Sequence, residues 1–122
     1  KGGIISRKEA IPDVILSSPA MRAKTTAELV AESCGYEGEI IFHQSFYTSG
    51  SASVIKTIRK LPDSINRALL IGHNPAWTEL VYSLPSPQRK ITMNPTTLMA
   101  LAFSGHAWKD IGPGKCITEW VM

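Results

Sequence analysis

The sequence has few cysteines and no long apolar run. Its two cysteines, Cys34 and Cys116, lie far apart without a C-x-x-C pair, which argues against a disulfide framework or a cysteine-rich zinc site. The longest apolar stretch, residues 98–103, is much shorter than the roughly 18–20 residues that cross a bilayer, and no signal-peptide pattern opens the chain. We therefore expect a cytoplasmic protein that does not bind a membrane.

Several other signatures are missing. The glycine-rich loops that hold nucleotide phosphates, G-x-x-x-x-G-K-[ST] and G-x-G-x-x-G, do not occur. Neither cysteine is followed six positions later by the arginine that a cysteine phosphatase needs, since Ile40 and Met122 stand there. The net charge is +3, but the basic residues are scattered, so nucleic acid is not an expected partner. Three widely spaced histidines predict neither a metal site nor a cofactor.

The hydrophobic pattern alternates between strand and helix. A chain of 122 residues with 43% hydrophobic content is long enough for one core, and we predict a single domain over 1–122. Helical periodicity follows several short strand-like runs, and a polar loop is predicted over 48–51. The alternation predicts an α/β fold with a mainly parallel sheet. The predicted strands cover residues 14–16, 39–42, 68–71, 97–103 and 116–121.

Two of these strands end in a tight turn followed by a helix. Ser18 is predicted to cap the first helix and Pro19 to occupy its first position, while Gly35 is predicted to terminate it. Asn74 and Pro75 repeat the cap-and-proline pattern after the third strand. Such corners lie where ligands collect in α/β sheets, because helix N-termini there attract anions.

Each corner also carries a side chain suited to phosphate. Arg22 falls in the opening turn of the first helix, where its guanidinium would add a fixed hydrogen-bonding fork. His73 stands at the exit of the third strand and could hydrogen-bond or protonate a phosphate. The pair predicts a clamp for a phosphate-sized anion.

These two segments, residues 17–23 with Thr25 and residues 70–75, resemble two of the three signature blocks of the histidine-phosphatase superfamily. Within this phosphoglycerate mutase-like group, the chain is similar to the SixA-like phosphohistidine phosphatases from about Ile11 to the C-terminus. The resemblance implies a three-layer α/β/α sandwich and a hydrolase that passes the phosphoryl group through a histidine to water. It assigns Arg22 to the phosphoryl oxygens and makes His73 the second active-site histidine. Ser17, Ser18 and Asn74 are predicted to be turn and cap residues.

The third signature block is not found. In the superfamily this block is an Arg-His-Gly motif on the first strand, yet no Arg-His pair occurs in the 122 residues. The sequence opens at Lys1 without an initiator methionine and without a strand-like run before the first predicted strand. We therefore expect the N-terminal strand and its nucleophilic histidine to be missing from this sequence. His43 and His106 are predicted to be surface histidines and not substitutes for the nucleophile.

The residue at position 44, a glutamine, indicates which class of substrate the protein would act on. Mutases and many phosphomonoesterases of the superfamily place a glutamate proton donor three residues before an aromatic residue, and if Tyr47 is that aromatic, Gln44 occupies the donor position. An amide cannot protonate an alkoxide usefully, whereas the imidazole that leaves phosphohistidine can take a proton from solvent. We therefore predict a phosphorylated protein as partner, with Gln44 lining the substrate site and phosphate or sulfate able to bind. A phosphatase of small phosphorylated metabolites and a catalytically inactive phosphate- or partner-binding module remain as alternatives.

Overall fold

The computed structural model of the chain describes residues 11–48, 50–88, 90–91, 93, 99–103, 105 and 107–121. The predicted strands are confirmed within these ranges, except that the second begins at Ile40 and not at Glu39. The predicted loop at 48–51 is wrong at both ends, because Thr48 and Ser51 belong to helices. In chain order the elements are β1 (Val14–Ser17), α1 (Met21–Cys34), β2 (Ile40–Phe42), α2 (Ser45–Thr48), α3 (Ser51–Ile58), β3 (Ala68–Ile71), α4 (Ala76–Ser83), β4 (Met99–Phe103), a 3-10 turn (Trp108–Asp110) and β5 (Cys116–Val121).

The chain divides into two compact units, and the first comprises 1–48 and 64–73. Its three strands form a parallel sheet in the order β2-β1-β3, which confirms the predicted parallel pairing. Helix α1 packs against this sheet through Ala27 and Ala31, whose small side chains allow close approach to Ile15. The centre of the unit is β1, whose residues are all buried.

The register of β1 against β3 is fixed where the two strands begin. The Asp13 backbone N–H donates to the Arg67 carbonyl at 2.7 Å. In return, the Asp13 carboxylate accepts the backbone N–H groups of Asn66 and Arg67 at 2.8 and 2.9 Å. These bonds precede the paired residues Val14 and Ala68, so the strands run in step to Ser17 and Ile71.

The second unit comprises 49–63 and 74–122. Helices α3 and α4 pack together, and both contribute buried apolar side chains, among them Val54 and Trp77. Strands β4 and β5 pair antiparallel, with an irregularity between Ala100 and Leu101. The parallel sheet therefore does not extend to all five strands, because the described strands fall into two separate sheets.

The helix starts differ from the predictions. Helix α1 begins at Met21, and Ala20 takes the cap position without a side-chain bond, so the assignment of Ser18 as cap and Pro19 as first helical residue is wrong. Pro75 likewise precedes α4. The side chain of Asn74 nevertheless has a capping role, since its Oδ1 accepts the Thr78 backbone N–H at 3.0 Å.

Helix α1 ends at Gly35 as predicted, and the contribution of this glycine to stability can be measured. Gly35 has φ of 79° in the left-handed region, and its N–H bonds to carbonyls of the last helical turn. A Cβ at Gly35 would meet no atom within 4 Å, so Gly35→Ala should lower the free energy of unfolding by about 1 kcal/mol through backbone strain alone. Gly35→Asn should cost less, because asparagine tolerates this conformation better. Urea unfolding measures both variants, and an alanine variant as stable as the wild type would contradict this account of the cap.

Candidate phosphate site

The candidate site lies in the first unit, at the carboxyl edge of its parallel sheet. The last residue of β1, Ser17, is in register with Phe42 of β2 and Ile71 of β3. All three strands therefore end at the same edge of the sheet. Two backbone bonds continue the pairing past the strands, from the Ser18 N–H to Ile71 O and from the His43 N–H to Ser17 O, both 2.9 Å.

His73 is held at this edge by a buried hydroxyl. Its Nε2 lies 2.8 Å from Ser18 Oγ, and Ser18 is fully buried at 0% exposure. The ring itself is half-buried. The two corners that the sequence singled out are therefore joined directly, through a residue that was predicted to have only a capping role.

Arg22 stands in the first turn of α1, shortly after the same corner. Its side chain is exposed, and the first turn contains no acidic residue and no side-chain cap. The positive end of the helix dipole is therefore not neutralised by a carboxylate of that turn. An anion at this edge would be attracted by the N-terminus of α1. The Arg22 guanidinium, in the same first turn, would add a second positive group.

Two further residues follow β2 at the edge. Gln44 is exposed in the turn between β2 and α2, where it can line a ligand. His43 is half-buried, and its ring centroid lies 5.3 Å from that of Phe46. The prediction that His43 is merely a surface histidine missed this position. The sequence signal available was its place directly after the predicted strand 39–42, whereas the parallel pairing of that strand with β1 is seen only in the fold. The side chain of Tyr47 and the whole of His106 lie outside the described residues.

Other chemistry is not favoured by the described residues. Both cysteines are free and buried, and burial raises the pKa of the Cys116 thiol from 9.0 to about 11, which suits a structural and not a nucleophilic role. The described ranges contain no group of three or more His, Cys, Asp or Glu side chains able to hold a metal ion. In the same ranges, none of the helices has the length and apolar character that crossing a bilayer requires.

The fold of the chain is similar to that of solved structures of the phosphohistidine phosphatase SixA. Similar structures include the protein histidine phosphatase SixA complexed with tungstate, with a TM-score of 0.82 and 16% identity over 99% of this chain and 74% of that one. The putative phosphohistidine phosphatase SixA from Nakamurella multipartitia gives 0.82 and 17% over 99% and 76%. At these identities the likeness establishes the fold, and it confirms the predicted SixA-like resemblance at that level.

Sequence comparison adds relatives of unassigned activity. No protein-family model matches the chain. The uncharacterized protein MT1313 of Mycobacterium tuberculosis (strain CDC 1551 / Oshkosh) is 27% identical over 122 residues, covering 93% of this chain and 74% of the relative. The uncharacterized protein Rv1276c of strain ATCC 25618 / H37Rv gives the same values.

The buried state of Cys116 leads to a prediction about thiol reactivity. At pH 8 a thiol with a pKa of about 11 is ionised to only about one part in a thousand. A Cys34→Ala variant, which keeps Cys116 as its one thiol, should react slowly with iodoacetamide when native and rapidly in urea. The native rate should rise as the pH approaches 11. Rapid native labelling at pH 8 would show that the thiol is accessible and ionised.

Proposed function

We propose that this chain carries the phosphate-binding part of a histidine phosphatase of the SixA type whose substrate is a phosphohistidine on another protein. The observation that carries the proposal is the 2.8 Å contact between Ser18 Oγ and His73 Nε2. It ties the corner that leads into Arg22 to the corner that presents His73. On this basis we expect the Arg22 guanidinium and the His73 ring to bind one phosphoryl anion at this edge of the sheet.

Each residue has a distinct role in this proposal. Arg22 binds two phosphoryl oxygens through its planar fork, and the N-terminus of α1 adds its dipole. His73 donates a hydrogen bond to a third oxygen, and Gln44 contacts the substrate without supplying a proton. The SixA structure with tungstate supports an oxyanion as the ligand, because tungstate is a tetrahedral oxyanion like phosphate.

The reaction requires a phosphoryl acceptor, which we assign to a histidine in an Arg-His-Gly motif outside the printed 122 residues. Its ring nitrogen attacks phosphorus while the P–N bond of the substrate breaks, and the departing imidazole takes a proton from solvent. Water then attacks the phosphorylated enzyme, and inorganic phosphate leaves. Arg22 and His73 stabilise the charge on the transferring group in both steps. No metal takes part in this scheme.

One alternative follows from a specific observation. No Arg-His pair occurs in residues 1–122, and a protein that also lacked the motif elsewhere would bind phosphate or a phosphorylated partner without turnover. A phosphatase of small metabolites is less favoured, because it would need a proton donor where this chain has Gln44.

Anion binding tests the site without requiring turnover. The 122-residue chain should bind tungstate or phosphate, and Arg22→Ala should weaken binding by about 10- to 100-fold, as expected for loss of charge-assisted bonds. Lys24→Ala is the matched control, since Lys24 is an exposed cation on the same helix, and it should change the affinity little. Isothermal titration calorimetry measures all three proteins. Equal losses for the two variants would indicate a nonspecific charge effect, and turnover by this chain alone would contradict the assigned nucleophile.

The identity of the leaving group is tested at Gln44 in a protein that includes the Arg-His-Gly motif. Wild type should hydrolyse phosphohistidine much faster than an alkyl phosphate. Gln44→Glu should raise alkyl phosphatase activity more than phosphohistidine phosphatase activity, within the about 10²–10⁴-fold that general acid catalysis contributes. Arg22→Lys should lower both activities, because a point charge cannot replace the bidentate fork. Initial rates with the two substrates at one pH provide the measurement.

Efficient wild-type hydrolysis of the alkyl phosphate would mean that another residue donates the proton. That result would favour the metabolite phosphatase over the phosphohistidine phosphatase.

A further inference from the structure

The polar atoms of Ser18 are all engaged although the residue is fully buried at 0% exposure. Its backbone N–H donates to Ile71 O at 2.9 Å, and its carbonyl accepts the Ser17 hydroxyl at 2.9 Å. Its own Oγ has two contacts, the Ala20 backbone N–H at 3.2 Å and His73 Nε2 at 2.8 Å. The direction of the last bond decides where His73 carries its proton.

The hydroxyl proton of Ser18 needs an acceptor. A serine hydroxyl offers one donor and two acceptor lone pairs, and the Ala20 N–H, being a donor, can occupy only a lone pair. Within the described part of the chain, the remaining partner of Oγ is Nε2 of His73. A buried hydroxyl that fails to donate is unfavourable, so the bond should run from Ser18 to Nε2.

We therefore propose that Ser18 is a positioning residue that fixes His73 in the tautomer with its proton on Nδ1. An imidazole nitrogen that accepts a hydrogen bond carries no proton, so the neutral ring must carry it on the other nitrogen. The catalytic consequence rests on the proposed function: with Nε2 accepting from Ser18, a hydrogen bond from the neutral ring to a phosphoryl oxygen has to come from Nδ1–H. In the opposite tautomer Nδ1 carries a lone pair and cannot donate that bond.

The tautomer is measured directly in the full chain, at a pH where the ring is neutral, by two-dimensional ¹H–¹⁵N correlation of the imidazole groups. His73→Gln identifies the His73 signals. We expect a protonated Nδ1 and an unprotonated Nε2. A protonated Nε2 in the neutral wild-type ring would overturn the inference, and this measurement needs no variant at Ser18.

Variants add a control. Ser18→Ala removes the donor, so the Nε2–H tautomer should become populated. Ser17→Ala is the matched control, because Ser17 is also fully buried and its hydroxyl bonds to Ser18 O and not to the ring. Ser17→Ala should leave the tautomer unchanged. A shift of equal size in both variants would attribute the effect to general loosening of the corner and contradict the assigned role.

Kinetics separate this inference from the proposed function. In the active protein, Ser18→Ala should lower kcat by about 10- to 100-fold, since a wrongly oriented tautomer weakens transition-state stabilisation, with a smaller effect on KM. An Nδ1–H tautomer in a protein without phosphatase activity would leave the inference standing and refute the function. Phosphatase activity together with an Nε2–H tautomer would support the proposed function and refute the role of Ser18.

Discussion

The parallel pairing of β1 with a strand on each side is the constraint on which the candidate site depends. A parallel sheet sends successive strands out at one edge, so Ser17, Phe42 and Ile71 end in register. The bonds of Asp13 to the start of β3 hold that register from the opposite end. A shift of one residue would turn the side chains of β1 to the other face and would remove Ser18 from His73.

The site combines a buried part with an exposed part. Ser18 is buried, so little water competes for its hydroxyl, and the bond holds the His73 ring in place before a ligand arrives. Arg22 is exposed, and an anion bound by its planar guanidinium would hold that side chain in one geometry. This division is consistent with the proposed phosphohistidine substrate on another protein, because the preorganised hydrogen bond lies in the buried part of the site.

The fold and the site carry different weight in the functional argument. Structures that share only 16–17% identity with this chain superpose with TM-scores of 0.82, because many sequences satisfy the same pattern of buried strands and packed helices. A shared fold does not by itself define an activity. The functional proposal therefore depends on the particular residues at the sheet edge, above all Arg22, Gln44 and His73.

The sequence by itself determined the alternation of strands and helices, the end of α1 at Gly35, and the positions of Arg22 and His73 after two strands. These features follow from neighbouring residues, through hydrophobic periodicity and backbone preference. The tertiary structure decided which residues distant in sequence come into contact, because sequence spacing does not specify those partners. The Ser18 hydroxyl was predicted to cap α1, but besides its contact with the Ala20 N–H it bonds to a ring 55 positions away. Parallel pairing likewise brought His43 to the site edge. Such outcomes depend on which distant groups compete for one buried hydrogen bond, and only the folded chain settles that competition.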